Sequence, residues 1–160
     1  MAELTTIEEK LAEVTGLAKA AQEATTKVES LVDDEELAAK LQQMRGEAEE
    51  TEQRCTRLAD DRDGKKTAIL EKAQETKNEA AEMMSTYLGS DSDDLDGFEF
   101  LTMAEAGEVG HWQILGKLNE KAGEKEVREL VEWALPIQER HLSDVRQGSL
   151  RLAEAQDPNS

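Results

Sequence analysis

The chain is poor in the residues that interrupt helices, bridge loops or fill large aromatic cores. Only two of its 160 residues are proline, Pro136 and Pro158, so little breaks a helical pattern. One cysteine, Cys55, excludes an internal disulfide and fits a reducing compartment. Cys55 itself reads as a small core residue. No apolar run approaches the roughly 20 residues that a membrane span needs. The N-terminus, "MAELTTIEEK", has neither a basic nor an apolar leader region. Basic residues are scarce as well: 19 Lys and Arg face 37 Asp and Glu, a formal charge of −18. Phosphates would be repelled, so nucleic acid and anionic membrane are not expected as partners. The expectation is a soluble, cytoplasmic protein.

What is abundant is Ala, Glu, Leu and Lys, with 35% charged and 3% aromatic residues. That is the composition of helices packed side by side. Thr5 and Thr6 can cap a first helix whose stripe is Ile7, Leu11, Val14, Ala18, Ala21 and Val28. Asp33-Asp34 interrupt it and cap a second, striped by Leu37, Leu41, Met44, Ala48, Thr51, Cys55 and Leu58. "DDRDG" (60–64) turns the chain into a third helix through Ile69, Ala73, Ala80, Met84 and Leu88. "GSDSDDLDG" (89–97) is a loop, and a fourth helix runs from about Phe98 to Lys121. "KAGEK" leads to a fifth, from about Lys125 to Glu154. Short turns between long helices predict an all-α up-and-down bundle with four core helices. The third helix then crosses over outside the core. One domain spans residues 1–156, and 157–160 form a disordered tail.

The acidic loop imitates half of a calcium loop through Ser92, Asp94, Asp96 and Gly97. The twelfth position, where a bidentate Glu belongs, is Met103. The loop is therefore read as solvated, with Asp96 capping the next helix.

Both histidines fall on helical stripes. In the fourth helix, Leu101, Ala104, Glu108, His111, Leu115 and Leu118 recur at spacings of three and four, with Glu105 one turn before Glu108. In the fifth, the stripe is Val127, Val131, Ala134, Gln138, His141, Val145, Gly148 and Leu152. Three-residue spacing lets one helix offer two ligands to one ion, as in bundles built from Glu and Glu-x-x-His pairs. "QERH" (138–141) has Gln where such a pair has its carboxylate, with Glu139 beside it. If the turn centres near Gly123, facing residues sum to about 245. Glu105, Glu108, Gln138 and His141 then cluster, and His111 lies roughly 10 Å along the helix from the level of His141. Glu47 and Glu50 bracket the second stripe and are candidates to face inward, whereas the first stripe has no carboxylate. Gly107, Gly110 and Gly116 suggest close backbone approach or a bulge nearby. Pro136 frees the carbonyl of Glu132.

Three stretches carry a family resemblance: "EETEQRCTRL" (49–58), "GKKTAIL" (64–70) and "DLDGFEFLTMAEAGEVGHWQILGKLNEKAGEKEVRELV" (94–131). They resemble the YciE/YciF-type ferritin-like bacterial stress proteins over most of the chain. The resemblance implies a ferritin-like four-helix bundle with an extra crossover helix, a homodimer, and a role in stress response. Glu50, His111 and Glu139 match acidic or histidine positions of that family. Glu47 stands where the family tends to have His, and Gly110 where it has Glu.

Two functional readings remain open. In the first, the bundle binds one or two iron or manganese ions between its helices in stress response or metal handling. Carboxylate and imidazole donors suit those ions, and the candidate ligands are Glu50, Glu105, Glu108, His111, Gln138, Glu139 and His141. In the second, the bundle is metal-free, a structural or interaction module whose buried polar groups specify register. No phosphate loop, nucleophile elbow or zinc-type Cys/His cluster points to a classical enzyme.

Overall fold

A computed structural model describes residues 2–160, which form five helices: α1 (Thr6–Glu29), α2 (Glu35–Asp60), α3 (Lys66–Tyr87), α4 (Asp94–Ala122) and α5 (Lys125–Glu154). The caps explain most of these boundaries. Thr5 and Glu8 form a reciprocal capping box at α1, and the Asp34 side chain accepts from the backbone of Glu36 and Leu37 at α2. Gly123 closes α4 in the left-handed region at φ +65°. Asn119 then clasps Glu124, donating to its carbonyl at 2.9 Å and accepting from its N–H at 3.1 Å, so α5 turns directly back along α4.

The fourth helix begins four residues earlier than expected. Asp93 is its cap and Asp96 is the third helical residue of a capping box. Asp94 and Asp96 therefore lie in a first helical turn, where their charges favour the helix dipole, and no calcium-type loop forms.

Helices α1 and α2 make one antiparallel pair and α4 and α5 another, joined through α1 against α4 and α2 against α5. As α2 and α4 point the same way, the chain needs one long return between them. Helix α3 supplies it outside the core, and this is the expected ferritin-like arrangement with one crossover. Helix α3 lies along α1 in the same direction, tied by Lys77 to Glu23 at 2.6 Å and Lys19 to Gln74 at 2.9 Å. At the crossing, a Cβ on Gly16 would fall 2.3 Å from the carbonyl oxygen of Ala73, so only glycine permits this approach. The second half of α3 is less covered. Ala68, Ile69 and Ala73 are buried, while Ala80 and Met84 are only partly covered and Met83 is exposed.

The stripes of α2 and α5 are almost as expected; Ala59 replaces Leu58 on the first and Leu130 replaces Val131 on the second. The stripe of α4 is displaced. Leu101, Glu105, Glu108, Trp112, Leu115 and Asn119 are buried, and Ala104, His111 and Leu118 lie at its edge. Both series share Leu101, Glu108 and Leu115. Spacings of three and four fit either side of that shared line, and packing against α5 and α1 selects the side carrying Trp112. Gly107 and Gly110 have no heavy atom within 4 Å of a built Cβ, and Gly116 meets only Val131 Cγ1 at 3.1 Å. None of the three admits a neighbouring backbone. Pro136 lies inside an unbroken α5.

Candidate functional site: a polar layer in the bundle core

Two large apolar clusters fill the core, beside a small third one of Ala12, Ala59 and Ile69. One contains Val28, Leu37, Leu41, Phe98, Leu101 and Val145, and the other Leu11, Val14, Cys55, Trp112, Leu115 and Ala134. Glu105 and Glu108 from α4 and Gln138 and His141 from α5 lie in a polar layer of that core, and Glu47 of α2 reaches it from the edge. The pairs that meet, Glu105 with His141 and Glu108 with Gln138, each sum to 246. The antiparallel register therefore agrees with the turn-based expectation.

Gln138 links the two carboxyls. With its amide nitrogen turned toward them, the orientation that gives both oxygens a donor, Nε2 donates to Glu105 Oε2 at 3.0 Å and Glu108 Oε2 at 3.1 Å. Glu105 is 1% exposed and Glu108 4%. Burial drives both pKa values up, that of Glu105 to about 8, and the charge of Glu105 raises Glu108 further. The pair is therefore held protonated in neutral solution.

His141 is buried, and burial depresses its pKa against the opposing pull of Glu47. Its neutral ring satisfies the contact by carrying the proton on Nε2 and donating to Glu47 Oε1 at 2.9 Å. Nδ1 then offers a lone pair 3.9 Å from Glu105 Oε2, too long for a hydrogen bond. Glu47 is different. Burial works to raise its pKa, but hydrogen bonds from His141 and Arg140 outweigh that and hold it below the usual carboxylate range. The layer thus has an ionised end at the Glu47–Arg140 rim and a protonated end at Glu105–Glu108.

The remaining candidates lie elsewhere. His111 lies at the edge of the buried α4 stripe rather than on it, with its side chain 40% exposed. Its Nδ1 lies 2.8 Å from the Gly107 carbonyl and its Nε2 3.8 Å from Glu13. Glu50 is exposed and pairs with Arg54 at 3.4 Å, and Glu139 is exposed next to the rim. Glu47 is the layer residue that spacing only half reveals, since it sits one place off the α2 stripe. Its helix face becomes inward only because α2 packs on α5. Cys55 is fully buried, and burial pushes its thiol up to about 12, making it an inert core residue.

The layer does not fit a two-ion centre. Of the α1 residues, the buried carboxylate is Glu8, which is held by Arg62 and Lys65 at the bundle end. Position 138 offers an amide, and His141 commits Nε2 to Glu47. Among the described residues, no group of three or more His, Cys, Asp or Glu is arranged to hold a metal ion.

No protein-family profile matches the chain. No curated protein matches it in sequence. Its fold is that of a solved structure, the E. coli stress protein YciF, at a TM-score of 0.70. The similarity covers 94% of this chain and 96% of that one at 14% sequence identity. Among the described residues, no helix is long and apolar enough to cross a membrane.

Proposed function

We propose that the chain is a YciF-type ferritin-like bundle that serves in a stress response as a metal-free structural or interaction module. The observation that carries this reading is the Gln138 amide bridging Glu105 and Glu108. A divalent ion needs ionised carboxylates with free lone pairs. Here an ion would have to displace the protons that burial favours on the two acids, and a neutral donor occupies the place between them. Such a layer specifies register. Sliding α5 past α4 would leave four buried polar side chains without partners, at a cost of roughly 1–3 kcal/mol each. The stress role rests on the likeness to the E. coli stress protein YciF.

Metal analysis of the untagged protein purified from iron- and manganese-supplemented medium tests the metal-free reading. Sub-stoichiometric metal and a melting temperature unmoved by chelator are the expected results. Stoichiometric iron or manganese that is lost on Glu105→Gln with His141→Ala would establish the metal-binding reading instead. For the stress role, deletion in the source cells is expected to lower survival under oxidative or osmotic challenge, and unchanged survival speaks against it.

A further inference from the structure

Methionine is distributed unevenly over the molecule. Met44 is 2% exposed in the core, whereas Met83 is 51% and Met103 39% exposed, and Met84 is partly covered. The last three line one recess of about 210 Å³ between α1, α3 and α4. They form the seam where the second half of α3 meets α4, beside Tyr87 and Phe100, whose ring centroids are 6.1 Å apart. We propose that Met83, Met84 and Met103 are an oxidation site: hydrogen peroxide converts their thioethers to sulfoxides, and this releases the second half of α3 from α4. Each step moves one oxygen atom from the peroxide to sulfur. The O–O bond breaks, an S–O bond forms, the thioether gives up two electrons to the peroxide, and water leaves.

Access selects these sulfurs. The competing sulfur, Cys55, is fully buried with its thiol pushed up to about 12, and a peroxide attacks the thiolate. The recess is several times larger than the roughly 30 Å³ that a water molecule occupies in the liquid, so hydrogen peroxide also reaches Met84. The attachment of α3 makes the consequence local. Lys19 with Gln74 and Lys77 with Glu23 tie its first part to α1. Beyond Lys77, among the described residues, no ion pair or side-chain hydrogen bond joins α3 to another helix. No Lys or Arg occurs between Lys77 and Lys117, so acids such as Glu79, Glu82 and Glu99 have no cation from this stretch to offset them. Apolar contact alone holds the seam, with Met84 packed on the cluster that contains Phe100 and Leu101. A sulfoxide is polar and loses hydration in such a contact. The released segment is bounded by the Gly16 crossing at Ala73 before it and by buried Leu88 after it.

Peptide mapping of the full chain after graded hydrogen peroxide, followed by amide hydrogen exchange of the treated protein, tests this. Met83 and Met103 are expected to gain oxygen at least about tenfold faster than Met44. In the oxidised protein, amides of residues 80–87 should exchange at least about tenfold faster, with residues 66–73 unchanged. Methionine sulfoxide reductase should reverse both changes. The M83L/M84L/M103L variant keeps the seam apolar and should lose the response to peroxide. Met84→Gln, which places a polar side chain of similar length in the seam, should speed exchange of residues 80–87 without peroxide. Oxidation that leaves exchange of residues 80–87 unchanged, or acceleration that spreads equally to residues 66–73, overturns the proposal. So does a response that persists in M83L/M84L/M103L, or a Met44 oxidised as fast as Met83. Unchanged exchange in Met84→Gln would show that a polar group does not open the seam, and overturns it as well.

Discussion

Glu8 and Glu105 are the same residue type at nearly the same burial, 5% and 1% exposed, yet they hold opposite charge states. Around Glu8, the Thr5 N–H donates at 2.9 Å, Arg62 Nε at 2.9 Å and Lys65 Nζ at 3.3 Å. Burial raises its pKa, but these donors outweigh that and hold it down at about 2. Arg62 also grips Glu124 through both terminal nitrogens, at 2.7 and 3.2 Å, so one guanidinium in the α2–α3 turn ties α1 to the start of α5 at the bundle end. Glu105 has only the Gln138 amide. A carboxyl's charge follows both from its depth, at the bundle end for Glu8 and in the middle of the core for Glu105, and from whether a cation lies beside it.

The largest effect is expected where a charge is forced into the cation-free layer. Gln138→Glu removes the donor that serves both acids and adds a third carboxyl. Chemical denaturation should show a loss of about 4 kcal/mol at neutral pH. The substitution also rebuilds a Glu-x-x-His pair, so manganese should restore part of that stability in the variant and none in the parent. At the other site, Arg62→Met leaves Glu8 with the Thr5 N–H and with Lys65 as its remaining cation. A loss of about 2–3 kcal/mol is expected in the same assay, and lowering the pH should partly relieve it.

The pH profile sharpens the contrast further. Between the ordinary carboxylate pKa of 4.5 and about 8, the unfolded chain has released a proton that folded Glu105 retains. Stability therefore falls as pH rises across that window, and Glu108 adds to the fall. Glu8 acts in the opposite direction, from about 2 up to 4.5, where the unfolded chain binds the extra proton and stability rises with pH. His141, with its folded pKa below 6.5, likewise adds a rise that ends near 6.5. Maximum stability is expected at around pH 5. The E105Q/E108Q variant should lose most of the decline toward pH 8 and exceed the parent there. A decline that persists in that variant would mean the layer is already ionised in the parent. The smallest effects belong to the exposed acids: Glu50→Ala and Glu139→Ala should each move stability by less than about 0.5 kcal/mol.

Much of this architecture is legible in the sequence. Asp34 and Thr5 announce helix starts, Gly123 announces a stop, and the α2 and α5 stripes emerge because strong apolar residues mark a single face. Helix α4 is harder to read. Its composition is apolar on more than one side, so two stripes sharing Leu101, Glu108 and Leu115 compete, and the wrong one places His111 inward and Trp112 outward. The layer residues Glu105, Glu108, Gln138 and His141 were recoverable because antiparallel register follows from a tight turn. Glu47 was not secured that way, since its partner, His141, lies 94 residues distant and no local spacing relates α2 to α5.

By itself the sequence determined five helices, one crossover, and the presence of acids and a histidine on faces meant for the core. Those follow from local propensity, capping chemistry and the helical period, all of which act over a few residues. Only the tertiary structure decided what those polar groups are. Whether a buried carboxyl is ionised depends on which distant residue is packed against it, Arg62 in one case and Gln138 in the other. That proximity is created by helix packing, because the free energy of a charge depends on its surroundings in space.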